Sequence, residues 1–152
     1  MRRNLEKHEC IKLLEENYIG YLAYISGNQP YTLPITYYYD DESHSIISYA
    51  AEGHKISAMR KNTSVSLAVN EITSVADWKS VLAFGTFQEL DGSNAKYMLH
   101  QFSDGIKKII PGGSTDKAQF ISDFSAKIYS TGTPIVFRIN IKELTGKIRI
   151  SG

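Results

Sequence analysis

Tyr18-Ile19-Gly20-Tyr21-Leu22-Ala23-Tyr24-Ile25-Ser26, then Gly27-Asn28-Gln29-Pro30, then Tyr31-Thr32-Leu33-Pro34-Ile35-Thr36-Tyr37-Tyr38-Tyr39, is the stretch on which the fold turns. Its first nine residues are rich in β-formers with a period of two, and the Gly-Asn-Gln-Pro run is turn chemistry, which makes Tyr31 to Tyr39 a second strand. Asp40-Asp41-Glu42-Ser43 is another polar turn, and Ser45 to Ala50 reads as a third strand. Three strands joined by tight turns predict an antiparallel meander.

Upstream, the period is helical. Asn4 is placed to cap a helix with Glu6 in its opening turn, and Ile11, Leu14 and Tyr18 recur at i, i+3 and i+7 as one buried stripe, ending near Asn17. Downstream, Ala51-Glu52-Gly53-His54-Lys55 leads into a short helix from Ile56 to Lys61, with Asn62 as its stop. Val65 to Glu71 and Ser80 to Glu89 read as strands, separated by a loop carrying Thr73, Asp77 and Trp78 and closed by Asp91-Gly92. Ser93 is expected to cap a helix through Phe102, Pro111-Gly112-Gly113 marks an exposed loop, and Thr115 opens a helix with Phe120, Phe124 and Ile128 on one side. Pro134 to Ile141 is a last long strand that Gly146 to Ile150 extends. Six or seven short strands with three or four inserted helices predict a mainly β (α+β) antiparallel barrel rather than a βαβ sheet.

A chain of 152 residues fits one compact domain with its own core. The formal charge is +1, from 17 basic and 16 acidic residues, so no global basic field points to nucleic acid. Cys10 is the single cysteine, which excludes an intrachain disulfide framework and a Cys-rich metal site. No stretch approaches the ~20 apolar residues of a membrane span, and the expected setting is cytoplasmic. Ten Tyr, six Phe and one Trp are the unusual figure, with the tyrosines crowded between residues 18 and 49. Such a cluster suits half-buried strands, an interface, or a pocket for a flat ligand.

Standard catalytic signatures do not occur. There is no G-x-S-x-G elbow, Walker A sequence, H-E-x-x-H or G-x-G-x-x-G turn. His8, His44, His54 and His100 never sit at i, i+3 or i+4, so no histidine metal site is expected. Cys10 lies in a predicted helix away from any base and reads as a buried structural thiol. The junction Ser48-Tyr49-Ala50-Ala51-Glu52-Gly53-His54-Lys55 offers more. A helix N-terminus presents unpaired N–H groups, Gly53 permits close approach and Lys55 adds a charge, which together make a phosphate cradle. Taken alone, a solvated lysine after a turn glycine is the commoner reading of such a sequence. Arg60, about 140° further around a helix, is not expected to share the phosphate. In Trp78-Lys79-Ser80-Val81-Leu82-Ala83-Phe84-Gly85, the Ser80 hydroxyl is placed either to meet a ligand at the strand's end or simply to satisfy the strand edge.

Taken in order, Gly20-Tyr21-Leu22-Ala23, Gln29-Pro30-Tyr31-Thr32-Leu33-Pro34-Ile35-Thr36-Tyr37, Ala50-Ala51-Glu52-Gly53-His54-Lys55, Asn62 to Val69, and Lys79-Ser80-Val81 through Gly85 resemble the pyridoxamine 5'-phosphate oxidase-like split-barrel flavoproteins, and within them the nitroimidazole-resistance-like branch. Val136-Phe137-Arg138-Ile139 and Leu144-Thr145-Gly146-Lys147 continue the resemblance, and Ser93 to Thr133 is not diagnostic. The resemblance implies a six-stranded antiparallel Greek-key split barrel with peripheral helices, working as a homodimer with FMN in two clefts at the subunit interface. It implies that Pro34, Ile35, Thr36 and Tyr37 line the isoalloxazine, that Ser48 and Tyr49 flank the ribityl phosphate, that His54 and Lys55 meet the phosphate, and that Ser80 contacts the ring or its chain. In many members of that branch a His stands where this chain has Ser48, so a reaction that depends on that imidazole is not implied here.

The expected function is that of an FMN-dependent oxidoreductase, with electrons from a nicotinamide or partner reductase passing to a small flat acceptor. The alternative is a flavin store, carrier or sensor without turnover, with heme or a deazaflavin as other cofactors of such barrels. No side chain is named as catalytic.

Overall fold

The computed structural model describes residues 1–109 and 134–151. Its strands are β1 (Arg2–Asn4), β2 (Ile19–Ser26), β3 (Gln29–Thr36), β4 (Tyr38–Asp40), β5 (Ser45–Ala50), β6 (Ser64–Ser74), β7 (Asp77–Leu90) and β8 (Ile135–Arg149). The helices are α1 (Lys7–Glu16), α2 (His54–Lys61) and α3 (Gly92–Ile109). All pairings are antiparallel, in the order β3-β2-β6-β7-β8-β5-β4, and β1 pairs with β8.

The two ends of that order, β3 and β4, are neighbours in the chain with only Tyr37 between them. Residues 29–40 therefore act as one strand that leaves β2 at Tyr37 and joins β5, closing the sheet into a barrel. Counted this way the barrel has six strands, with the three-residue β1 added at a rim. The expected meander is present in this bent form, and the expected single strand from Tyr31 to Tyr39 is corrected to two pieces. β5 and β6 are consecutive but not paired, so α2 carries a crossover between them, as a Greek key requires.

Turn chemistry is tighter than expected. Gly27-Asn28 alone closes the β2–β3 hairpin, with Gly27 at φ 63°, a value that favours glycine at the first position of a two-residue turn. Pro30 and Pro34 lie within β3 opposite Ile25 and Tyr21. As both are an even number of residues apart, the strand loses its N–H groups on the same edge, the edge that faces away from the ladder to β2.

The barrel interior holds Leu22, Tyr37, Ile46, Leu67, Val69, Val81, Phe137 and Ile139, each nearly or wholly buried. Burial of such a side chain contributes roughly 1.5–3 kcal/mol before the ordering entropy is subtracted. Ile47, Leu90 and Val136 point out of the barrel and are covered by Met98, Phe102 and Ile106 of α3. This is why β5 is buried on both faces although its sequence is short.

Several boundaries differ from expectation. Asn4 is the last residue of β1, and the cap of α1 is Glu6, whose backbone N–H donates to Glu9 Oε1 at 3.0 Å in a reciprocal capping box. The buried stripe of α1 is Cys10, Leu13 and Leu14, with Tyr18 beyond the helix, and Asn17 ends it by donating to the Leu13 carbonyl at 2.8 Å. Thr73, Asp77 and Trp78 lie in or beside the continuous β6–β7 hairpin, which turns at Val75 and Ala76. α2 starts two residues earlier than expected and stops at Asn62 as expected. α3 runs past Phe102 to Ile109, with Ser93 inside it. β8 is one strand through Gly146, bulged by Lys142 opposite Phe84 and Gly85. The expected loop at Pro111-Gly112-Gly113 and the helix from Thr115 lie outside the described residues. Among the described residues no helix is long and apolar enough to cross a membrane.

Candidate functional site

Where the chain leaves β2 for β5, the barrel wall opens. β3 and β5 share no backbone ladder there, and a cleft of about 430 Å³ lies between their ends, lined by Ile19, Pro34, Ile35, Thr36, Ser48, Tyr49, Ala50, Ala51, Lys55 and Pro134. One side-chain bond spans the gap: the Ser48 hydroxyl donates to the Thr36 carbonyl at 2.8 Å. Ser48 is only 2% exposed, so this bond satisfies a hydroxyl that burial would otherwise penalise.

Tyr49 forms another wall. Its ring meets Phe102 of α3 edge-on, with centroids 5.5 Å apart and planes at 79°, and burial raises the pKa of its phenol. Among the described residues that line the cleft, Lys55 is the charged one. It sits in the first turn of α2, whose opening N–H groups have no partner within the helix and carry its positive end. A Cβ added at Gly53 would meet nothing nearer than the Ala51 carbonyl at 4.0 Å, so the space before this helix is open. Apolar walls, a flat aromatic side and one cation beside a helix N-terminus together suit a planar ligand that carries an anionic group.

Six of the nine residues expected at the site therefore line one cleft: Pro34, Ile35, Thr36, Ser48, Tyr49 and Lys55. Three lie elsewhere. Tyr37 is fully buried and donates its hydroxyl to the Leu14 carbonyl at 2.8 Å, and burial holds its pKa far above the ordinary tyrosine value. His54 turns to the end of the β2–β3 hairpin, where its Nδ1 and the Tyr24 hydroxyl share a 3.0 Å hydrogen bond. Ser80 is the fourth residue of β7, not its first, and pairs with Asn70 and Lys147. Ile19 and Pro134 are lining residues that the sequence reading did not select. Ile19 is marked only in the structure, as an apolar side chain that stays 52% exposed directly opposite Thr36. Pro134 carries no such mark.

Arg60 is not among the described residues that line the cleft. It holds Glu89 through two bonds of 2.7 and 3.2 Å and also pairs with Glu52. Cys10 is buried, and burial with nearby Glu9 raises its thiol pKa. Among the described residues no group of three or more His, Cys, Asp or Glu side chains converges on a point.

The profile of the pyridoxamine 5'-phosphate oxidase family matches residues 6–148. The chain belongs to the pyridoxamine 5'-phosphate oxidase family. Within reach of this family, an uncharacterised protein of Rhizobium meliloti strain 1021 is 32% identical over 155 residues, covering 99% of this chain and 97% of that protein. A solved structure of an FAD-binding protein from Mesorhizobium loti matches with a TM-score of 0.77 and 28% identity, over 99% of this chain and 98% of that one. A candidate 5-nitroimidazole antibiotic resistance protein from Bacteroides thetaiotaomicron shares the fold at a TM-score of 0.67 and 12% identity, over 97% of this chain and 89% of that one. The family's split barrel thus accounts for the opening between β3 and β5.

Proposed function

We propose that this family member is a flavin-nucleotide oxidoreductase that holds its cofactor in the cleft between β3 and β5. The observation that carries the reading is the combination, in one cleft, of apolar strand ends with Lys55 at the start of α2. Pro34, Ile35 and Thr36 would face the isoalloxazine, Tyr49 would wall it, and Lys55 with the first N–H groups of α2 would hold a phosphate. FMN satisfies these contacts. The FAD-binding name of the Mesorhizobium loti protein makes FAD the second flavin to test, since both carry the same phosphate next to the ribityl chain.

Bound flavin supplies the redox chemistry, accepting electrons from a nicotinamide or a partner reductase and passing them to a small flat acceptor. The protein's part is to bind, orient and exclude water. The Ser48 hydroxyl is committed to Thr36, so no proton transfer is assigned to it. An imidazole-dependent reduction of nitroimidazoles gains no support from this position.

Ile19 lines the cleft and lies on the same outer face of β2 as Tyr21, a face that continues across β6 and β7, and this supports a homodimer. Tyr21, Ala68 and Leu82 form one cross-strand row there, and Ala23, Ser66 and Phe84 form the next. Tyr21 and Phe84 are 47% and 41% exposed, large values for aromatic residues, and Ile19 joins this face to the cleft. A second copy on this face would cover the open side of the cofactor. Ser80 shares a face with Leu82, so it would enter the site through this contact.

Purified protein reconstituted with FMN, FAD or riboflavin provides the test. An absorption spectrum of bound flavin, bleached anaerobically by a reduced nicotinamide, is the expected result. Flavin that binds and is bleached by no donor would indicate a store or sensor. A Soret band or deazaflavin fluorescence on extraction would transfer the site to another cofactor. Lys55→Ala should lower FMN affinity by about 1.5–3 kcal/mol, or roughly 10- to 150-fold, while riboflavin binding stays nearly constant.

A further inference from the structure

His54 and Lys55 are consecutive, and consecutive residues of a helix point about 100° apart. Both cannot address the same ligand atom without unwinding the first turn of α2. The structure assigns them different directions. Lys55 lines the cleft, whereas the His54 ring stands edge-on to Tyr31, with centroids 4.9 Å apart and planes at 61°. Its Nδ1 is hydrogen-bonded to the Tyr24 hydroxyl at 3.0 Å. Tyr24 and Tyr31 are themselves directly opposed in the β2–β3 ladder and stack at 5.3 Å with planes only 8° apart. Burial raises the Tyr24 pKa, so its hydroxyl keeps its proton.

α2 has eight residues, a length that is marginal for an isolated helix. Its last turn is held by Arg60, which bridges Glu52 and Glu89. Its first turn has no side-chain cap, because the N-cap is Gly53. The contact of His54 with the tyrosine pair is one fastening at that end.

We propose that His54 is a positioning residue for Lys55: its imidazole anchors the first turn of α2 to the Tyr24–Tyr31 stack, and this anchoring directs the Lys55 side chain into the cleft. The proposal rests on the flavin-nucleotide reading above. It replaces direct contact of His54 with the phosphate by an indirect effect through its neighbour.

A thermodynamic cycle read by FMN and riboflavin titration tests it. His54→Ala and Tyr24→Phe should each weaken FMN binding roughly 3- to 10-fold, the worth of about one hydrogen bond, and leave riboflavin affinity unchanged. His54→Asn, which keeps a hydrogen-bonding group near the Nδ1 position, should recover part of the loss. In a Lys55→Met background, His54→Ala and Tyr24→Phe should produce no further change. Losses that add across the cycle would overturn the proposal, because His54 would then touch the phosphate itself. Full FMN affinity in His54→Ala with Lys55 intact would also overturn it. If His54→Ala fails to fold, Tyr24→Phe carries the same cycle with both rings in place. Wild-type protein that binds neither FMN nor riboflavin would overturn the flavin reading and this proposal together, an outcome distinct from additivity.

Discussion

Tyr37 stands at the point where one strand changes neighbours. Its N–H donates to the Tyr18 carbonyl and its hydroxyl to the Leu14 carbonyl, both at 2.8 Å, so one residue ties the bend to the end of α1. Tyr37→Phe keeps the ring and removes the donor. It should cost about 1–3 kcal/mol of unfolding free energy in urea titrations, because a buried carbonyl loses its partner. A change below about 0.5 kcal/mol would show that Leu14 is satisfied in another way. The sequence reading singled out the tyrosines but could not sort them. Tyr24 and Tyr31 stack, Tyr37 fastens a helix, and Tyr49 walls the cleft. A phenol has the same composition in all three settings, and only its surroundings tell them apart. Ser48 illustrates the same limit: its place in a strand was legible, whereas its bond to Thr36 depends on two strands that never pair.

At the scale of elements, α1 and α3 are held by different means. The start of α1 depends on the Glu9 carboxylate, which accepts from Arg3 and from the Glu6 N–H, and these bonds lower its pKa from 4.5 to about 2. The stabilisation it gives is complete above about pH 4.5 and is lost as the pH falls towards 2. Thermal melts should show a fall across that window that is shallower in Glu9→Gln. α3 instead approaches the sheet through Gly105, where an added Cβ would collide with the Tyr38 ring. Gly105→Ala should destabilise the fold by roughly 1–3 kcal/mol in denaturant titrations. Through Phe102 and Tyr49 it should also weaken flavin binding. The period of two made β2 legible, since one of its faces is consistently buried, whereas β5 is buried on both faces and owes its legibility to the turns that flank it. The far end of the β6–β7 hairpin reads as a loop in the sequence; in the structure Ile72, Thr73 and Ser74 are all exposed, so no buried face sets an alternation there. β1 has three exposed residues and no period at all. Gly105, inside α3, is the point where that helix meets the Tyr38 ring.

At the scale of the whole molecule, the outer face of β2, β6 and β7 leaves Tyr21 and Phe84 exposed, and the expected dimer can be tested there. Light scattering should give twice the 17.1 kDa chain mass for the wild type. Tyr21→Glu should shift it to the monomer and release flavin, while apo stability changes little because Tyr21 is half exposed. A monomeric wild type that retains flavin would disprove the shared cleft. The barrel class was legible from strand count and turn spacing, but its closure was not, since it depends on which partner each half of residues 29–40 chooses. A related long-range choice lies at the rim. Arg2, Arg3 and Asn4 pair with Arg149, Ile148 and Lys147, so this seam joins positions separated by nearly the full chain. Contacts of such separation carry the largest loop-closure entropy and form after the local hairpins. With only three residues of ladder, the seam should be the last part of the barrel to zip during refolding. Its amides should also be the first to exchange with deuterium, well before those of β6 and β7.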